Sequence, residues 1–208
     1  MMDLKKQDKL IYIKGNHEEL FVQCLQEIAR SGVMKVSSPT SHHYTNKTWD
    51  TMLQIANMSE IDAFDMPNEL VAKVRESDFY QELLDVCVDY FETANYIFTH
   101  GWIPCHTYGF RPRIEYEYES NWRNADLDLW HKSRWINGME AWKNNIREPN
   151  KVIVCGHWHA SYGHSCIKNK GTEFGKAAIF TPFVDKGIIA LDACTAVSGF
   201  VNCIVIDD

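Results

Sequence analysis

Gly15-Asn16-His17-Glu18, His100-Gly101 and Gly156-His157-Trp158-His159 each follow directly on a short apolar run. An apolar strand has no need of such an ending. A loop that must bring an amide, imidazoles and a carboxylate to one point does. The chemistry this set suits is metal binding. Neutral imidazole is a good ligand for Zn, Fe and Mn, and the Asn16 amide oxygen is a harder donor that adds no charge. His157 and His159 stand two residues apart. On extended chain they share a face; in a loop they can address two neighbouring ions. Any one of the nine histidines alone reads as a structural or surface residue. Repetition at three segment ends turns the reading toward a site. Glycine at each end lets the backbone turn sharply and approach a ligand closely.

The elements that must carry these residues follow from local pattern. Residues 10–14, 96–99 and 151–155 are short β-rich runs and are expected as strands. After the first, residues 18–31 place Leu20, Phe21, Cys24, Leu25 and Ile28 at helical spacing, stopped by Gly32. The polar triplet is expected in the connecting loop. Residues 48–56 and 127–142 read as helical, Pro67 as a helix start, and 70–92 as a long helical pattern. Residues 178–181, 188–191 and 201–206 read as successive strands, separated by Pro182, Gly187 and Gly199. Strand and helix alternate first and strand follows strand at the end. That predicts an α/β core with an antiparallel contribution near the C-terminus. In open α/β sheets ligand sites form outside the carboxyl ends of the strands, where all three glycine–histidine endings fall.

The bulk numbers narrow the function classes. A chain of 208 residues is long enough for one domain with a full core, and 45% hydrophobic with 24% charged residues is ordinary for a globular protein. A net charge of −7 without a long basic stripe argues against nucleic acid as the main partner. Any anionic substrate then needs local positive charge from metal ions or a few arginines. No window approaches the apolar length of a membrane span, and MMDLKKQDK lacks the apolar core of a signal peptide. Seven loosely spaced cysteines without a C-x-x-C predict reduced thiols and a cytoplasmic protein. Most of them sit in apolar runs and read as small core residues.

GNHE, then HG after a strand, then GHxH after another, resembles the calcineurin-like metallophosphoesterase superfamily, and most of all its bacterial serine/threonine protein phosphatase-like branch. YIFTHGWIP and IALDACTAVSGFVNCIVID are similar to two further segments of that family. The resemblance runs in order through most of the chain. It implies a metallophosphoesterase-like β-sandwich flanked by helices, over residues 1–208 as a single domain. It implies a hydrolase that uses two divalent ions, Mn, Fe or Zn, on a phosphorylated protein or a small phosphoester such as a dinucleoside polyphosphate. Residue by residue, Asn16, His100 and His157 would hold the second metal and His159 the first. His17 would act at the scissile ester as general acid or transition-state stabiliser. Glu18 would orient His17 or hold the loop. Arg134, in a Trp-x-Arg-like segment, would contact phosphate, with Arg123 the weaker candidate and a surface arginine stacked on tryptophan the plainer reading.

The family's two earlier blocks, D-x-H and G-D-x-x-D-R, have no counterpart: the chain holds no D-x-H and no Gly-Asp dipeptide. The expectation is therefore a chain that begins inside such a protein, through an internal start, a mis-assigned start codon or a truncated gene, with the N-terminal strands absent. Two cations about 4 Å apart repel strongly without a bridging carboxylate. Metal binding is expected to be weak or single and hydrolysis impaired, with an inactive binding or regulatory remnant as the alternative. An uncovered sheet edge would favour self-association. Other candidates have plainer readings. His42-His43 reads as a polar loop, and His106, His131 and His164 lack ligand-like partners. Trp102, Tyr108, Tyr116, Tyr118, Trp122 and Trp130 read as packing rather than a lid, and Glu115, Glu117 and Glu119 as a solvated strand face.

Overall fold

The computed structural model describes residues 10–110 and 113–207. The charged opening segment, residues 1–9, lies outside them. The chain divides into two compact units, Met1–Val88 and Asp89–Asp208.

The first unit is helical. Helix α1 spans Asn16–Ser31 and buries Leu20, Phe21, Cys24, Leu25 and Ile28, the five apolar positions read from the periodicity. It stops at Gly32, whose N–H donates to the Ile28 carbonyl at φ +75°, a backbone conformation that favours glycine. Two short helices follow, α2 at His42–Thr45 and α3 at Thr48–Ala56; then come α4 at Glu60–Asp65 and α5 at Pro67–Glu76, with proline in its first turn. Trp49, Met52 and Ala56 from α3 meet Leu70, Val71 and Val74 from α5 and the apolar face of α1 in one core.

Two expectations change in this unit. Residues 10–14 form no full strand: Ile13 makes a single parallel bridge to Val88, with Lys14 N–H on the Val88 carbonyl at 2.8 Å. The helical pattern from 70 breaks after Glu76. Ser77 Oγ donates to the Val74 carbonyl at 2.6 Å and accepts from Tyr80 N–H at 3.2 Å. A serine hydroxyl that serves both sides of a turn competes with helix continuation. A π turn at Phe79–Leu83 and a 3-10 turn at Leu84–Val86 come next.

The second unit is mixed α/β. Its five-stranded sheet has the order β1-β2-β5-β7-β6. The strands are β1 Tyr90–Glu92, β2 Tyr96–Thr99, β5 Val152–Cys155, β6 Phe183–Asp185 and β7 Ile188–Ala190. The three central strands β2, β5 and β7 are parallel, and both edges are antiparallel. The β2-to-β5 crossover carries a separate ribbon of β3, Cys105–Phe110, and β4, Arg113–Tyr118. It also carries helices α6, Leu127–Ser133, and α7, Gly138–Lys143. One helix was expected over 127–142. Asn137 divides it, because its side-chain oxygen accepts from Met139 and Glu140 N–H and so begins a new helix. Trp102, Trp122 and Trp130 are buried in the core and form no lid.

The C-terminal strands are partly corrected. Strand β7 falls where expected. Ala178 makes only an isolated bridge to Thr172, and β6 occupies a segment not read as strand. Among the described residues, 201–206 pair with no strand. Asn202 Nδ2 donates to the Phe180 and Leu191 carbonyls at 2.7 and 2.9 Å; Val201, Cys203 and Val205 are exposed while Asn202, Ile204 and Ile206 are half-buried, so the alternation survives without strand pairing. Among the described residues no helix is long and apolar enough to cross a membrane.

An ion-pair network braces this unit. Arg123 donates to both Glu92 oxygens at 2.6 and 2.8 Å and to Glu148 Oε1 at 2.8 Å, while its guanidinium stacks on Trp122. The Arg123 hydrogen bonds hold the Glu92 carboxyl down to about 2 despite partial burial. A carboxylate with a depressed folded pKa stabilises the native state above its unfolded pKa, about 4.3, and that contribution is lost as pH falls toward the folded value. The thermal midpoint should hold between pH 7 and 5 and then fall steeply toward pH 2. Arg123→Met should flatten that fall and cost about 1–2 kcal/mol near neutral pH, checked by circular-dichroism melts across the range.

Candidate functional site

Strands β2 and β5 lie side by side in parallel, with Phe98 opposite Val154. The chain therefore leaves both strands at the same edge of the sheet, His100 from one and Gly156-His157 from the other. Gly156 N–H donates to the His100 carbonyl at 2.8 Å, which extends the pairing one residue beyond the strands. The two imidazoles come together, with ring centroids 5.2 Å apart. Trp135 lies edge-on to His157 at 5.8 Å and Trp158 at 6.0 Å. His157 itself sits at φ +60°, in the left-handed region. That conformation is uncommon outside glycine but more accessible to histidine than to most residues.

The glycines serve this geometry unequally. A Cβ on Gly101 would lie 2.8 Å from the Arg134 carbonyl oxygen and nearer still to that of Ser133. The turn after β2 thus packs backbone against the end of α6, and Trp102 N–H donates to the Ser133 carbonyl at 3.2 Å. Gly138 is equally crowded, against Trp102 and the Gly101 carbonyl. A Cβ on Gly156 would touch only the His100 carbonyl oxygen, at 3.7 Å, an ordinary contact. Gly15 is extended, at φ −98°. Close packing of protein on protein, at Gly101, is the clearest need for glycine among the three motifs.

His157 and His159 take different surroundings. His159 Nε2 pairs with Glu173 Oε1 at 2.9 Å, and its ring contacts Trp158 and Phe174. Among the described residues no group of three or more His, Cys, Asp or Glu side chains is placed to hold a metal ion. The His100 and His157 imidazoles are two potential nitrogen donors side by side. A two-ion cluster needs more donors than these two rings, with carboxylates among them to offset the charge.

In the first unit, Asn16, His17 and Glu18 open helix α1 rather than lying in a loop ahead of it. Asn16 is buried and His17 exposed. Glu18 is tied down at both oxygens: Gly15 N–H donates to Oε2 at 2.7 Å and the Tyr12 hydroxyl to Oε1 at 2.9 Å. This is the carboxylate half of a capping box; the other half is missing because glycine has no side chain. Burial, then Glu18, pushes the Tyr12 phenol up.

Arg134 is 4% exposed and ion-paired with Asp89, so it is no surface arginine. Arg123 is engaged by two carboxylates. His106 faces Glu119 at 3.2 Å and His164 the Thr181 carbonyl at 3.1 Å. Glu115 and Glu117 are exposed on β4, and Glu117 accepts from Tyr108 at 2.8 Å. All seven cysteines are free thiols; Cys24, Cys105 and Cys155 are buried, and burial pushes Cys155 up to about 12. Asn137 and Glu140 escaped the sequence reading: a 350 Å³ cavity is lined by both, together with Tyr116 and Trp135. Only the polar residue before a helical run signalled Asn137.

Comparison with protein-family models, with curated proteins and with solved structures finds no match.

The unequal roles of the glycines are directly measurable. Gly101→Ala should destabilise the protein by about 2–3 kcal/mol, since the new methyl meets backbone that cannot step aside. Gly156→Ala should cost less than about 1 kcal/mol. Urea unfolding of both variants checks the contrast.

Proposed function

We propose that this chain carries metal-dependent phosphoesterase chemistry of the calcineurin-like kind, with His100 and His157 as the metal-binding pair. The observation that carries the reading is their meeting, 5.2 Å apart, at the ends of adjacent parallel strands. Residues separated by more than fifty positions reach one point because β2 and β5 pair in parallel. Such strand ends are where α/β sheets place their ligands. The reading gives Asn16, His17, Glu18, His159 and Arg134 the roles that the resemblance implies. The five-stranded sheet is proposed as one layer of the β-sandwich of that family. The substrate is a phosphorylated protein or a small phosphoester.

Two neutral imidazoles bind a divalent cation without offsetting its charge, so occupancy is single and weak. Turnover by this chain alone is slow or absent. An inactive binding or regulatory protein is the second reading, favoured by a specific observation. His159 and Arg134, a metal and a phosphate candidate, are paired with Glu173 and Asp89. Charged partners already held within the protein must be displaced before either residue can serve a ligand.

Calorimetric titration with Mn²⁺ and Zn²⁺ should find at most one ion per chain. His100→Ala and His157→Ala should each weaken binding at least about ten-fold, whereas His17→Ala should retain it. Two tightly held ions, or undiminished binding in both histidine variants, would overturn the assignment. Hydrolysis of p-nitrophenyl phosphate with Mn²⁺ should be slow at best and should fall in His17→Ala. Measurable hydrolysis separates the phosphoesterase from the binding reading.

A further inference from the structure

A cavity of about 350 Å³ opens between the β3–β4 ribbon and the α6–α7 segment of the second unit. That is the lower end of the range for small-molecule sites. Its floor is one face of the ribbon, where Thr107 stands opposite Tyr116 and so shares a face with it. Helix α6 and the turn after it supply His131, Lys132 and Trp135, and α7 supplies Glu140.

The charges on these walls do not balance. Glu140 is half-buried. Its Oε1 accepts from the Tyr162 hydroxyl at 2.7 Å and its Oε2 from the Tyr116 hydroxyl at 3.2 Å. A carboxylate has about four acceptor positions, of which the phenols use two. Phenol donors orient a carboxylate without neutralising it. Among the described residues no Lys, Arg or His is paired with Glu140, whereas Glu92, Glu148, Asp89 and Glu173 each have a basic partner. Lys132 does not serve Glu140: its Nζ donates to Asp128 Oδ2 at 2.7 Å, one turn back on the same helix, and its charge is offset there. With histidine neutral at pH 7, His131 adds a ring to the wall and no charge. The described walls thus carry one uncompensated negative charge, at Glu140, with the Tyr116 and Trp135 rings among its surroundings. A carboxylate together with aromatic surface is the chemistry that recognises an organic ammonium ion.

We infer that this cavity binds a primary amine on a flat apolar body, an arylalkylammonium ion, with its ammonium on Glu140 and its ring against Trp135 and Tyr116. An ammonium group has three N–H donors, and the Thr107 hydroxyl on the floor is a further acceptor beside the carboxylate. Trp135, 39% exposed, also lies edge-on to His157, so the bound ring sits beside the imidazole pair. Binding requires no metal there and is read without turnover, so its failure is distinct from failure of the phosphoester reading.

The test is calorimetric titration of the full chain with phenethylamine at neutral pH in the presence of a metal chelator, with the indole N–H resonance of Trp135 followed in parallel. Saturable binding that moves this resonance is expected. 3-Phenylpropionate has the same ring on a carboxylate and should bind at least about ten-fold more weakly. Methylammonium, which has the charge without the ring, should also bind more weakly. Glu140→Gln keeps an oxygen for the tyrosines and removes the charge; it should weaken phenethylamine at least about ten-fold. Trp135→Leu, on the exposed wall, should weaken it several-fold and covers the case in which the Glu140 variant does not fold. Lys132→Gln leaves Asp128 unpaired and should bind the amine at least as tightly as the wild type. Absence of saturation at millimolar phenethylamine, equal or tighter binding of 3-phenylpropionate, weakened binding in Lys132→Gln, or wild-type affinity in folded Glu140→Gln or Trp135→Leu would overturn the inference.

Discussion

The close approach of Gly101 to the Ser133 and Arg134 carbonyls is the contact on which the strand-end geometry rests. It seats the turn after β2 on the end of α6 with no side chain between them. Trp102, fully buried, follows at once, and its indole N–H reaches the Ile146 carbonyl at 3.1 Å. Gly138 repeats the device from α7, against Trp102. Two glycines and one tryptophan thus lock the crossover helices to the strand that carries His100. Trp135 and Asn137 sit on the segment between those helices, so both the imidazole pair and the cavity inherit their positions from the same packing.

Charge in the second unit is largely spent on the protein itself. Arg123 bridges Glu92 and Glu148 with Lys151 also on Glu92, Arg134 pairs with Asp89, and His159 pairs with Glu173. Burial pushes the Glu148 carboxyl up, and the hydrogen bonds from Trp122, Arg123 and Tyr118 outweigh it, leaving it below the usual range. Pairs of this kind, partly shielded from water, hold geometry more effectively than exposed ones. They also explain why composition misleads about a site. An arginine or histidine in a suggestive motif is available to a ligand only if no internal carboxylate has reached it first. Asn137 is the reverse case, an unremarkable residue in sequence that is buried and begins a helix.

Much of the fold was legible because local pattern decides it. The apolar spacing in α1, proline at the start of α5, and the β-branched run of β5 each depend on neighbours a few residues away. Three of the misreadings share one cause, competition from side-chain hydrogen bonds. Ser77 ends a helix that periodicity would continue, Asn137 divides another, and Asn202 takes carbonyls that a further strand would have used. Each is a polar side chain whose choice of partner depends on where the chain has already gone.

From residue order alone came the three glycine–histidine endings, the strands that precede two of them, and the chemistry that imidazole side chains can do. Those follow from side-chain type and short-range periodicity. Only the tertiary structure decided which endings meet. Parallel pairing of β2 with β5 brings His100 to His157, whereas His159, two residues on, is drawn to Glu173. Backbone pairing across a long crossover and competition among buried charges are long-range effects. No spacing within a motif encodes them.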